Sequence, residues 1–257
     1  MGGATSKDRY DRAATTGILT LNTQKVKSWS SVTKALTKLS TLRIITITHN
    51  PLRDPVPYAF TALSLWRTLV SLDLSHNGLT CACALGSEAP LSKTHAKEAR
   101  TRIAAAPVSN AAHSTTRLPL DKSLEVVALQ RNQLKTFVIA DNTVDKPFPA
   151  LRELLLDQNH LGGTVSLGFA ADEEAPTMAS LRRISLDEQK GTEPLRRVNA
   201  AIFAHCPGLT SLSLQGNCNE EEIHDSLVQS DIYRKWQERQ KDVVDKKLHA
   251  GGQAELI

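Results

Sequence analysis

Aromatic side chains are scarce, at 4% of the chain, so a core must be filled by Leu, Ile, Val and Ala, which points to stacked aliphatic ladders. No stretch approaches the roughly 18 consecutive apolar residues of a membrane span, and the N-terminus lacks the apolar centre of a secretory signal. The chain is therefore expected to fold in the cytosol. Only four cysteines occur, Cys81, Cys83, Cys206 and Cys218, and without a secretory context they are expected as reduced thiols. No N-x-Ser/Thr acceptor suggests glycosylation. The formal charge of +4 is spread out, with no run of five or six like charges, so dedicated nucleic-acid binding is not expected. Also missing are a phosphate-cradling glycine loop followed by Lys, a nucleophile elbow and a His-Glu metal motif. Neither an enzyme nor a cofactor is expected.

What is present is an ordinary soluble composition, 40% apolar and 23% charged, carrying a repeat. The pattern L-x-x-L-x-L-x-x-N-x-L recurs as Leu42, Ile45, Ile47, Asn50, Leu52; Leu69, Leu72, Leu74, Asn77, Leu79; Leu124, Val127, Leu129, Asn132, Leu134; and Leu151, Leu154, Leu156, Asn159, Leu161. Weaker copies are Leu19, Leu21, Gln24, Val26; Leu181, Ile184, Leu186, Gln189; and Leu209, Leu212, Leu214, Asn217, which makes seven units. Central leucines that alternate spell a short strand, and the Asn satisfies backbone groups where the chain turns out of it. One unit cannot bury its own leucines, so neighbours must stack and share them. The expected fold is an α/β solenoid: a parallel concave sheet, short convex helices or turns, and a C-terminal helical cap. Val32, Leu36 and Leu39 have helical spacing, with Ser30 or Ser31 as the helix cap.

Three segments frame a repeat domain at 16–220. Residues 1–15 read as a flexible N-terminal segment with a lipidation motif. Residues 81–123, rich in Ala, Ser and Thr, read as an insertion forming a mobile loop, with a short helix conceivable around His95 to Ala106. Residues 221–257, with spaced Leu227, Ile232, Tyr233, Trp236, Val243, Val244 and Leu248, read as the cap and tail, the helix ending at Gly251-Gly252. Gly162-Gly163 reads as a turn after Leu161.

Two features suggest function. Gly2 and Ser6 satisfy the N-myristoylation pattern once Met1 is removed. A single such chain binds membranes weakly and reversibly, so a second attachment is expected. The register then places Thr46, Thr48, His49, Asp73, Ser75, His76, Gln130, Arg131, Leu155, Asp157, Gln158, Asp187 and Glu188 on the concave face, a mixed polar surface with an acidic lean that suits a basic partner. His49 and His76 occupy equivalent positions one strand spacing, ~5 Å, apart, yet no third metal ligand falls in register.

The repeat resembles that of the leucine-rich-repeat superfamily, which implies a horseshoe-shaped solenoid. Asp11-Arg12-Ala13-Ala14-Thr15-Thr16-Gly17-Ile18-Leu19-Thr20-Leu21 at one end is similar to the leucine-rich repeat-containing protein 57 family. So are Ile202 to Leu209, Asn217-Cys218 and Asp231 to Arg239 at the other. The resemblance implies a myristoylated Gly2 and a membrane-associated adaptor without catalytic activity. The chain departs from that family in its insertion, in Gln189 and Gly191, and in Asn219 where leucine is usual. The expected role is a non-catalytic cytoplasmic adaptor that binds an unidentified protein and sits loosely on membranes. The rival roles are a structural subunit of a large assembly, such as a ribosomal or ciliary particle, and a regulatory subunit of a phosphatase or ubiquitin ligase.

Overall fold

A computed structural model of the chain describes residues 6–23, 26, 32, 36, 38–39, 41–52, 68–80, 123–135, 137, 148–169 and 178–251. Gly2, Gln24, Ser30, Ser31, residues 81–122 with the expected loop and short helix, and Gly252 lie outside the described residues.

Nine short strands are described: β1 (Ile18–Thr20), β2 (Ile44–Thr46), β3 (Ser71–Asp73), β4 (Val126–Ala128), β5 (Glu153–Leu155), β6 (Gly163–Val165), β7 (Arg183–Ser185), β8 (Leu195–Val198) and β9 (Ser211–Ser213). Seven form one parallel sheet in the order β1-β2-β3-β4-β5-β7-β9. The middle residue of each lies in one ladder, Leu19 beside Ile45, then Leu72, Val127, Leu154, Ile184 and Leu212. The first six of these are fully buried, as are Leu42, Leu69, Leu124, Leu151, Leu181 and Leu209 at the start of their coils. Burying one such side chain is worth roughly 1.5–3 kcal/mol, so the shared ladders supply the main driving force for stacking. The chain is thus a solenoid of stacked coils. β3 and β4 are neighbours although 55 residues separate Asn77 from Asn132.

Four helices are given bounds among the described residues. Residues 6–15 of the stretch expected to be flexible are helical: α1 (Ser6–Thr16) rests on β1, with Ala13 fully buried. Gly17, at φ 71°, ends α1 in the left-handed conformation that glycine adopts most cheaply, donating its N–H to the Ala13 carbonyl at 2.9 Å. Val32, Leu36 and Leu39 are buried in the shared core. Short α2 (Ala201–His205) precedes β9, and α3 (Glu220–Val228) and α4 (Asp231–Gly251) follow it. The C-terminal region, read as one helical run, is broken at Gln229 and Ser230.

Gly162-Gly163 is not merely a turn. Gly163 opens β6, which pairs in parallel with β8 to make a second, two-stranded sheet. A Cβ on Gly162 would stand 2.5 Å from the Glu193 carbonyl oxygen, so glycine is required by the close approach of the neighbouring coil. No helix among the described residues is long and apolar enough to cross a membrane.

Candidate functional site: the solvent face of the sheet

The face is positioned by the asparagines at the strand exits. Asn132 donates from Nδ2 to the carbonyls of Leu74, at 3.0 Å, and Leu129, at 2.8 Å, while its Oδ1 accepts the N–H groups of Asn77 and Leu79 at 3.1 and 3.0 Å. Asn50, Asn77, Asn159 and Asn217 make the same pairs of donations, to their own coil and the one before. Gln189 substitutes for Asn in the sixth coil, accepting from Leu161 N–H and donating to the Leu156 carbonyl. Backbone groups that would otherwise be orphaned inside the stack are thereby satisfied.

Turning that Asn inward imposes a special conformation on the residue before it. Thr23, His49, His76, Arg131, Gln158, Glu188 and Gly216 all have φ between 47° and 70°. Such geometry costs a residue with a Cβ roughly 1–2 kcal/mol, and it fixes a row of side chains at one edge of the face, one per coil. His49, His76, Arg131, Gln158 and Glu188 are therefore brought together as the sequence register placed them.

The neighbouring row is less open. Thr48 and Ser75 are only 6% exposed, so both lie beneath the surface on which they were expected to be displayed. Thr48 donates its hydroxyl to Asn22 Oδ1 at 2.9 Å, and Ser75 to Gln130 Oε1 at 3.1 Å. Thr46, Asp73, Leu155, Gln130, Asp157 and Asp187 are half-buried. The acidic side chains expected from sequence also serve as braces within the face. Asp157 Oδ1 accepts the Ser185 hydroxyl and the Asp187 N–H, and its Oδ2 accepts from Gln130 Nε2. Asp187 Oδ1 repeats the arrangement one coil on, accepting the Ser213 hydroxyl and Gln215 N–H, each at 2.7 Å. Asp73 accepts Ser75 N–H, and Glu188 accepts from Gln158 Nε2 at 2.8 Å with Lys190 Nζ at 3.9 Å.

The rings of His49 and His76 stack, centroids 4.1 Å apart and planes 17° from parallel. Partial burial, His49 and Arg131 hold His76 below its ordinary pKa of 6.5, with Asp73 opposing. Among the described residues no group of three or more His, Cys, Asp or Glu side chains is placed to hold a metal ion. Beside the pair, His76, Gln130, Arg131, Asp157, Gln158, Asp187 and Glu188 line an open concavity of about 480 Å³.

Sequence reading missed a second concavity, about 1070 Å³, between β9 and the start of α3. Leu212, Leu214 and Cys218 meet Glu220, Glu221, Glu222 and Asp225 there. The run of three glutamates was the available signal. It serves the helix as first-turn negative charge, and Glu220 Oε2 accepts Gly216 N–H at 3.1 Å.

No protein-family model matches the chain, and no curated protein matches it.

Proposed function

We propose that the chain is a leucine-rich-repeat protein acting as a non-catalytic, cytoplasmic adaptor, its sheet face docking a protein partner while a myristoyl group on Gly2 holds it loosely at membranes. The residue pattern and the resemblance at both ends support the family reading, and the stacked parallel coils are compatible with it. In this reading α3 and α4 act as the terminal cap that keeps the last leucine ladder from water. The observation that carries the docking role is the unbroken register of seven strands, which displays polar side chains in rows over one continuous face. The rows are held from below by the Asn ladder, so the face is pre-organised and little ordering entropy opposes binding.

Two experiments test the halves separately. Intact-mass analysis of the N-terminal peptide from the native source should show a myristoyl adduct on Gly2, and Gly2→Ala should abolish recovery with membranes; unchanged recovery sinks the membrane half. Quantitative mass spectrometry of native complexes should lose the same partner from Gln158→Arg and Arg131→Glu proteins, both exchanges lying on the sheet face. A partner retained by both variants removes that face as the docking surface.

A further inference from the structure

We infer that the open edge of β9 takes up an extended, basic segment of another protein, which joins the seven-stranded sheet as a further strand. This edge lies at the C-terminal end of the stack and is separate from the sheet face, so the inference stands without the docking reading.

Each earlier coil hands its edge to the next. Leu21, Ile47, Leu74, Leu129, Leu156 and Leu186 all donate their N–H groups to a carbonyl of the following coil, at 2.8 or 2.9 Å. Leu214 is the seventh of this series, and among the described residues its N–H has no partner. Two positions on, Gln158 and Glu188 donate to the carbonyls of Asp187 and Gln215, but the matching N–H of Gly216 is taken by Glu220 Oε2 at 3.1 Å. One side chain thus caps part of the edge and leaves the rest bare.

The side chains are incomplete in the same place. Counterparts of Leu212 and Leu214 in the earlier coils are buried, whereas these two are only half-buried and line the concavity of about 1070 Å³ between β9 and α3. α3 packs on β8, and α4 on α2 and α3, so Leu209 is fully buried while the strand after it stays open. A bare strand edge beside uncovered apolar side chains is a template for another strand.

Charge selects the occupant. Glu220, Glu221, Glu222 and Asp225 on the opposite wall are exposed and have no ion pair among the described residues, and no described Lys or Arg lines the concavity. The helix dipole favours acidic residues in the first turn without neutralising them. A second copy pairing edge to edge would bring the same four carboxylates into one merged concavity, which like-charge repulsion opposes. A segment with apolar side chains over Leu212 and Leu214, and Lys or Arg where it passes α3, satisfies both walls.

The test uses the full chain and fluorescein-labelled peptides of about eight residues, alternating Val-Lys and alternating Val-Glu, read by anisotropy at low salt. Val-Lys should bind about tenfold tighter than Val-Glu, and Glu221→Gln, Glu222→Gln and Asp225→Asn combined should weaken it about tenfold while cooperative unfolding is retained. By NMR, the Leu214 amide should gain hydrogen-exchange protection on binding, which a peptide held by charge alone does not confer. Methylating alternate backbone nitrogens of Val-Lys gives two further probes: the one blocked on the paired side should fail and the other should bind. No Val-Lys binding, equal Val-Glu binding, wild-type affinity in the triple variant, an unprotected Leu214 amide or indifference to both methylations overturns the inference. A dimer of the free chain that the peptide disperses, read by sedimentation, puts a second copy on the edge and overturns it equally. Partner loss from the Gln158→Arg and Arg131→Glu proteins bears on the sheet face alone, so the two readings fail separately.

Discussion

At the scale of single residues, the Asn ladder is where a small change has the largest effect. Replacing Asn132 by Leu would leave the N–H groups of Asn77 and Leu79 without partners, while the carbonyls of Leu74 and Leu129 would keep only the donations from Asn77 and Asn159. Asn132 is only 4% exposed, so water is a poor substitute, and each stranded group costs roughly 1–3 kcal/mol. Asn132→Leu is expected to lower stability by about 2–6 kcal/mol in urea denaturation, toward the tail for single substitutions. Gln189 has an equivalent role but is half-exposed, and solvent can replace part of what its amide supplies. Gln189→Leu should therefore cost clearly less than Asn132→Leu, and equal losses would refute the account of the ladder. The Asp–Ser braces form a milder set. Asp187→Ala removes the acceptor of Ser213 and Gln215 at the surface, for an expected loss of about 1–2 kcal/mol on the same assay.

Elements differ in how far sequence announces them. The strands were legible because Leu72 and its counterparts must face inward at every second position, and the coil-to-coil register followed from aligning the asparagines. α1 was not, because a helix whose contribution to the core is little more than Ala13 and a half-buried Tyr10 has no apolar stripe to read. β6 and β8 were hidden too, since glycine is a turn signal and the reason for Gly162 is the Glu193 carbonyl of another coil. At the C-terminal end the aromatic cluster fixes α4. Phe203 packs edge-on against Tyr233 and tilted against Trp236, at 4.9 and 4.8 Å between ring centroids. Phe203 is fully buried, so Phe203→Ala is expected to destabilise this end by about 3–5 kcal/mol. Trp236→Phe is a finer probe. It removes the donation from Nε1 to the Leu209 carbonyl, yet Gln240 Nε2 still donates to that oxygen at 3.0 Å, so the loss should stay near 1 kcal/mol. A loss near that of Phe203→Ala would mean that the indole's packing, and not its hydrogen bond, holds the helix.

Over the whole molecule, the candidate site was half legible. Equivalent positions put His49 beside His76 in the sequence itself, but that Asp157 and Asp187 are already engaged depends on which serine and which N–H the next coil presents. The same nearest-neighbour logic governs stability, because each coil touches only those beside it and the ends can open without the middle. Two cysteines in the last coil report such opening. Cys206 is fully buried and burial pushes its thiol up to about 12, which leaves essentially no thiolate at neutral pH, whereas Cys218 is exposed. In native protein, iodoacetamide should therefore modify Cys218 readily and Cys206 only through local unfolding, as read by peptide mass spectrometry. Phe203→Ala should accelerate Cys206 labelling strongly while leaving the amides of Ile45 and Leu72, several coils away, with wild-type hydrogen-exchange protection. If those amides lose protection in step with Cys206, the stack unfolds as a single cooperative unit, and coupling between the docking rows and the C-terminal helices must then extend along its whole length.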